Sequence, residues 1–196
     1  MRRLVFILSL LILPVLSHAA TYADLQRSGI MEPAQVLRTG IETLTSYMEQ
    51  NRNPEPAKLA HYLEQNIAPY FDFKRMATWA AGPSYRYMSK QQRAQLVLSI
   101  KSDFMGVLAK RLTGYSGSRI EYLRPRGNLA RGKVILGVKI HTGNGYPLRL
   151  DFKLYHGKKG WKVYDVVANG ASAVSHYRND FVRQFRQQRV MARSIR

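Results

Sequence analysis

From Pro33 onward the apolar residues Leu37, Ile41, Leu44 and Met48 recur at helical spacing, until Asn51 to Pro56 breaks the pattern. This predicts one amphipathic helix. Pro56 suits the first turn of a second helix, in which Leu59, Leu63 and Ile67 repeat every four residues up to Pro69. Asp72 is a fitting N-cap for a third, which runs to Gly82. Ser89 and Gln92 have capping-box spacing ahead of Leu96, Ile100, Phe104, Leu108 and Leu112, a stripe that predicts the longest helix.

Past Gly114 the period falls to two. Val134, Leu136, Val138 and Ile140 alternate with mostly polar or small residues, and so do Leu148, Leu150, Phe152 and Leu154. The loop Gly143-Asn144-Gly145 between them pairs Ile140 with Leu148 and Val138 with Leu150, which puts both apolar rows on one face. Gly157 to Gly160 is a second tight connection, into Trp161 to Ala168, and an earlier strand is expected over Ser118 to Arg124. Short turns require antiparallel neighbours. The prediction is an α+β domain with a four-stranded antiparallel meander, whose apolar face helices must cover and whose other face carries Lys133, Lys139, Arg149 and Lys153. Past Gly170 a last helix sets Val174, Phe181 and Phe185 on one side and Arg183, Arg186, Arg189 and Arg193 on the other.

The N-terminus follows a different pattern. Met1-Arg2-Arg3 is a basic start, Leu4 to Leu16 an apolar run, and Ser17-His18-Ala19-Ala20 a small-residue end, the layout of a secretory signal peptide with cleavage expected after Ala19, and Ala20 as the alternative. The run is short for a bilayer, which takes roughly 20 apolar residues to span. Residues 1–19 therefore read as a signal peptide and 20–196 as one domain. No cysteine is present, so the expected exported domain must be stabilised by its core, without disulfides.

Export also changes the meaning of the charge. The chain carries 31 Lys plus Arg against 12 Asp plus Glu, and without Arg2 and Arg3 it retains 29 against 12, or +17. Such a balance ordinarily points to nucleic acid. An exported protein instead meets anionic leaflets and acidic envelope proteins, and these are the partners expected.

Candidate chemistry is sparse. His61, His141, His156 and His176 lack the spacing and carboxylate neighbours of a metal site, and no acid pair, nucleophile elbow or phosphate-cradling loop appears. No metal or cofactor is expected, and the chain does not read as an enzyme. Asp165 stands out because strict alternation places it beside Trp161, Val163 and Val167 on an apolar face, where a carboxylate needs partners. Arg178, Ser172 or the amides that open the last helix are candidates. Asp165 reads either as a satisfied structural carboxylate or as a base in a pocket, with Tyr164 or His176 beside it. The stretch Phe71 to Trp79 reads either as core or as one wall of a ligand cavity, closed by the Leu96 to Leu112 stripe and the apolar sheet face.

Phe71-Asp72-Phe73 with Met76-Ala77, Gly82, Tyr85-Arg86 and Gln91-Gln92-Arg93 forms one block. Trp161 to Val166 with Gly170, Ser172, Tyr177-Arg178 and Phe181 forms another, and together they resemble the MlaC or toluene-tolerance family of periplasmic phospholipid-binding proteins. Tyr85 departs from the Trp usual in that pattern, and Asn169 from the usual Glu. The resemblance implies a curved antiparallel sheet wrapped by about five to seven helices, with an apolar cavity between them for acyl chains. It further implies a shuttle carrying phospholipid between an outer-membrane lipoprotein and porin complex and an inner-membrane ABC transporter with a ring-shaped lipid-binding subunit. On this reading Met76, Trp79, Tyr85, Phe104, Leu108, Leu112, Leu150, Phe152 and Val163 contact lipid. Asp165 and Arg178 are structural polar residues, and Arg183, Arg186 and Arg189 dock to acidic partners or lipid. A small enzyme using Asp165 and a basic adaptor for envelope polymers are the competing classes.

Overall fold

The computed structural model describes residues 31–51, 54–112, 118–141 and 145–194, without the side chains of Met31 and residues 185–194. The expected signal peptide and most of the Gly143 to Gly145 loop lie outside the described residues. Five helices are present among those described: α1 (Met31–Gln50), α2 (Pro56–Asn66), α3 (Phe73–Ala81), α4 (Lys90–Leu112) and α5 (Ala173–Ser194). Three of them begin as their local chemistry requires. Pro56 opens α2, and the Asp72 carboxylate accepts from the Arg75 amide at 2.8 Å to cap α3. Ser89 and Gln92 cap α4 reciprocally, Gln92 N donating to Ser89 Oγ at 3.1 Å and Ser89 N to Gln92 Oε1 at 2.8 Å. At the end of α3 Gly82 takes φ +56°, a conformation that side chains resist.

The strands are β1 (Arg119–Tyr122), β2 (Arg126–Asn128), β3 (Lys133–His141), β4 (Leu148–Gly157), β5 (Gly160–Ala168) and β6 (Ala171–Ser172). They form one antiparallel sheet of order β1-β3-β4-β5-β6, with β2 also paired to β3. Two of the six, β2 and β6, are short additions to the expected four. Ile140 pairs with Leu148 and Val138 with Leu150, as the loop length predicts.

Strand β5 departs from strict alternation. Lys153 pairs with Asp165 but Leu154 pairs with Val163, so Tyr164 is an extra residue in a β-bulge. The bulge turns the second half of β5 over. Trp161, Val163 and Val166 join the apolar face, whereas Asp165 falls on the opposite face with Lys153. The expectation that Asp165 shares a face with Trp161 and Val163 is thereby corrected, while Val167 does share its side.

The interior has two apolar clusters. One joins α2, α3 and α4 through Leu59, Leu63, Met76, Ala77, Ile100 and Met105, and the other lies on the sheet around Val134, Val138, Leu154 and Trp161. Helix α1 belongs to both, giving Leu37 to the sheet cluster and Met48 to the helical one. At the outer edge of β5 the Asp72 amide donates to Val163 O at 2.8 Å, which fixes the start of α3 against the sheet.

Candidate functional site

Where α1 crosses the apolar face, the two layers do not meet fully, and a cavity of ≈ 220 Å³ remains. Its roof is the stripe Leu37, Ile41, Leu44 and Met48 of α1. The floor is Ile120, Val138, Ile140, Leu150, Phe152 and Val163, and the end wall is Ile67, Phe71 and the last turns of α4, Leu108 and Leu112. One water needs only about 10–15 Å³ of such space, so the void is many times larger than a packing defect. The polar groups in its lining are few: Thr45, Glu49, Tyr70 and Ser118. Glu49 is exposed, so the cavity reaches solvent beside the end of α1. A space of this composition holds an apolar molecule and offers no acid, base or nucleophile in its depth.

Five of the nine residues expected to contact lipid line this space: Leu108, Leu112, Leu150, Phe152 and Val163. The other four lie elsewhere. Met76 is fully buried in the helical cluster, and Phe104 packs behind the end wall, its ring centroid 5.2 Å from that of Phe71. Tyr85 packs on the helical cluster under the Arg93 guanidinium, 5.0 Å from its ring centroid. Trp79 is 42% exposed and its ring packs 5.1 Å from Tyr164 on the polar side of β5. The roof residues of α1 were visible in sequence as an apolar stripe. Nothing in that stripe told that it faces a void rather than a packed neighbour.

The polar face is built for structure. Asp165 is 3% exposed and accepts from Lys153 Nζ at 2.9 Å, from Ser172 Oγ at 2.8 Å and from the Val174 amide at 3.1 Å. Ser172 and the helix-opening amide are thus its partners, but its cation is Lys153. Arg178 lies instead beside Gly82, its Nη2 3.7 Å from where a Cβ there would sit. On the far side of the sheet from the cavity, with its oxygens engaged, Asp165 is not placed to act as a base in the void. Tyr177 donates to Asp103 Oδ2 at 3.0 Å, and burial above all pushes its hydroxyl pKa up.

On the same side of the sheet as Asp165, the Arg75 guanidinium stacks 3.8 Å from the Tyr155 ring centroid, with Trp79 and Tyr164 flanking it. Arg75 Nε is buried without a hydrogen-bond partner, and the three ring faces supply the electrostatic compensation. On α5, Arg183 is exposed and paired with Asp180 at 2.5 Å. The side chains of Arg186 and Arg189 lie outside the described residues. No helix among the described residues is long and apolar enough to cross a membrane.

A family model described as MlaC protein matches residues 38–194. Among solved structures, the chain is similar to one described as the phospholipid-binding protein from Ralstonia solanacearum in complex with a phospholipid. The two share 22% identity over 79% of this chain and 87% of that chain, with a TM-score of 0.72. At that identity the likeness establishes a common fold. No curated protein matches the chain.

Proposed function

The chain belongs to the MlaC protein family, and we propose that it is a non-enzymatic phospholipid-binding carrier of the periplasm. One observation carries the reading: the ≈ 220 Å³ void between α1 and the apolar sheet face, lined by aliphatic and aromatic side chains. Each methylene moved out of water into such a lining contributes about 0.8 kcal/mol. A two-chain lipid therefore cannot leave a bilayer without a comparable apolar shelter. Transfer between two apolar environments is close to isoenergetic, so the carrier needs no catalytic group and takes its direction from the machinery at either end. The relative from Ralstonia solanacearum, solved with a phospholipid, supports the same ligand class.

In this proposal residues 1–19 direct export, and 20–196 form the single carrier domain. Acyl chains lie against Leu108, Leu112, Leu150, Phe152 and Val163, under the α1 stripe. The partners are an outer-membrane lipoprotein and porin complex and an inner-membrane ABC transporter with a ring-shaped lipid-binding subunit. Arg183, Arg186 and Arg189 dock the carrier to acidic groups on them, an attraction that salt weakens. Solvent extraction of the purified protein followed by mass spectrometry is the test. Stoichiometric phospholipid is the expected result. A lipid-free protein that also takes up no labelled lipid from vesicles overturns the reading.

A further inference from the structure

We infer that the polar face of the sheet is a docking surface for an anionic lipid leaflet, one that holds the protein at a membrane with its cavity turned away. Residues 118–168, which hold β1 to β5, carry eleven Lys or Arg against three acids. The register sorts them by face. Opposite the apolar rows, Arg119, Arg126, Lys133, Lys139, Arg149 and Lys153 project from β1 to β4. Arg119 and Lys133 are exposed, and the side chains of the other four are between 32% and 55% exposed.

The three carboxylates do not cancel this charge. Glu121 is shared by Lys139 Nζ at 3.6 Å and His141 Nε2 at 2.8 Å. Asp151 is shared by Arg126 at 3.0 Å and Arg149 at 3.2 Å. Its side chain is only 17% exposed, recessed over Gly137, where a Cβ would stand 2.8 Å from its Oδ1. Asp165 is buried and engaged by Lys153, Ser172 and the Val174 amide. At the β5 margin Asp72 stands with Arg75 and Tyr155, and Lys162 donates to Pro69 O at 2.5 Å, so two cations meet one acid there. The turns between the strands add Arg124, Arg131, Lys158 and Lys159 and no acid.

The layout fits a leaflet better than an acidic protein. The cations spread over four neighbouring strand positions, about 15 Å across at roughly 4.8 Å per strand. Among the described residues no large exposed apolar side chain stands between them. A specific protein interface is anchored near its centre by desolvated aromatic side chains. Here the exposed aromatic is at the margin: Trp79, against Tyr164, a ring type that settles at headgroup level. The cavity floor, Ile120, Val138, Leu150 and Phe152, is the reverse side of the same strands. Docking by the polar face therefore retains the protein at the membrane while α1 and the cavity mouth point away from the bilayer. Such a contact does not depend on what the cavity holds.

Each Lys or Arg close to an anionic leaflet strengthens binding about fivefold. The test sediments the purified protein at low salt with vesicles of equal parts phosphatidylglycerol and phosphatidylcholine, or of phosphatidylcholine alone. Binding to the first and not to the second is expected, and high salt removes it by screening. Lys133→Gln combined with Lys139→Gln is expected to weaken binding about 25-fold. Lys58→Gln combined with Lys90→Gln removes the same charge from α2 and α4, and is expected to change it less than about twofold, since the effect is short-ranged. Equal weakening by the two pairs would mean that net charge alone acts, and overturns the inference. So does an unaltered chain that ignores the anionic vesicles, and its retention by polyglutamate instead assigns the face to an acidic protein. Uptake of labelled lipid, read separately, tests the carrier reading, and its failure leaves the docking face standing.

Discussion

The Tyr155 hydroxyl donates to Asp72, whose other oxygen caps α3, while the Tyr155 ring carries the Arg75 guanidinium. One phenol thus joins a strand to the first turn of a helix. Burial raises its pKa above the ordinary 10.0, and the hydrogen bond to Asp72 raises it further. The native state then keeps a proton that the unfolded chain gives up first. The stabilisation this represents is complete below pH 10 and is lost as pH rises through the native value. Urea unfolding followed between pH 8 and 11 is therefore expected to show stability falling at the alkaline end, and Tyr155→Phe is expected to fall less steeply. Equal slopes in the two proteins would show that Tyr155 contributes nothing to the alkaline limb. The role of Asp72 as a cap was legible in its position before Phe73. Its bond to a residue 83 positions away was not, because nothing local encodes the meeting of α3 with the polar face of β4.

Among the elements, β5 gains most from its single irregularity. The bulge at Tyr164 aims Asp165 away from the cavity and toward the start of α5, where it accepts from Ser172 and the Val174 amide and pairs with Lys153. Asp165→Ala is expected to lower the unfolding free energy by about 3 kcal/mol, since removing one partner strands a poorly solvated charge and a helix-end donor. Chemical denaturation measures this, and a loss below ~1 kcal/mol would mean that the link between β5 and α5 is incidental. The helices and the β3 to β4 register were legible because period, cap and loop length agree there. In Trp161 to Val167 the apolar phase shifts between Val163 and Val166, with Asp165 left on the apolar parity; carrying strict alternation across that shift, where the bulge lies, misread the face of Asp165. Strands β2 and β6, three and two residues long, carry no period at all. The site was legible as an apolar sheet face awaiting a cover. Which helix covers it loosely was not, since a stripe that packs and a stripe that roofs a void have the same residues.

Across the molecule, the helical cluster is closed around Leu59, Leu63, Met76 and Met105, all fully buried, whereas the sheet cluster opens into the cavity under α1. From Val36 to Glu49, α1 therefore borders a space that no side chain among the described residues fills. Leu150→Trp, which projects an indole into that space from the floor, is expected to abolish lipid uptake while leaving the melting temperature of the empty protein unchanged or higher. A marked drop in melting temperature would instead show that the cavity is already collapsed in solution. Conversely, a bound lipid at a hundred times its dissociation constant adds about 2.7 kcal/mol to the stability of the unaltered chain.

The loose seat of α1 makes occupancy visible from outside. If lipid fills the void as proposed, it holds the roof down, and an empty copy is expected to expose α1 to proteolysis more often, because cleavage follows the population of locally opened chain. On the proposed carrier reading, limited proteolysis of lipid-free and lipid-loaded protein is expected to cut α1 first in the lipid-free sample, so the gap under α1 makes an empty copy the easier one to degrade.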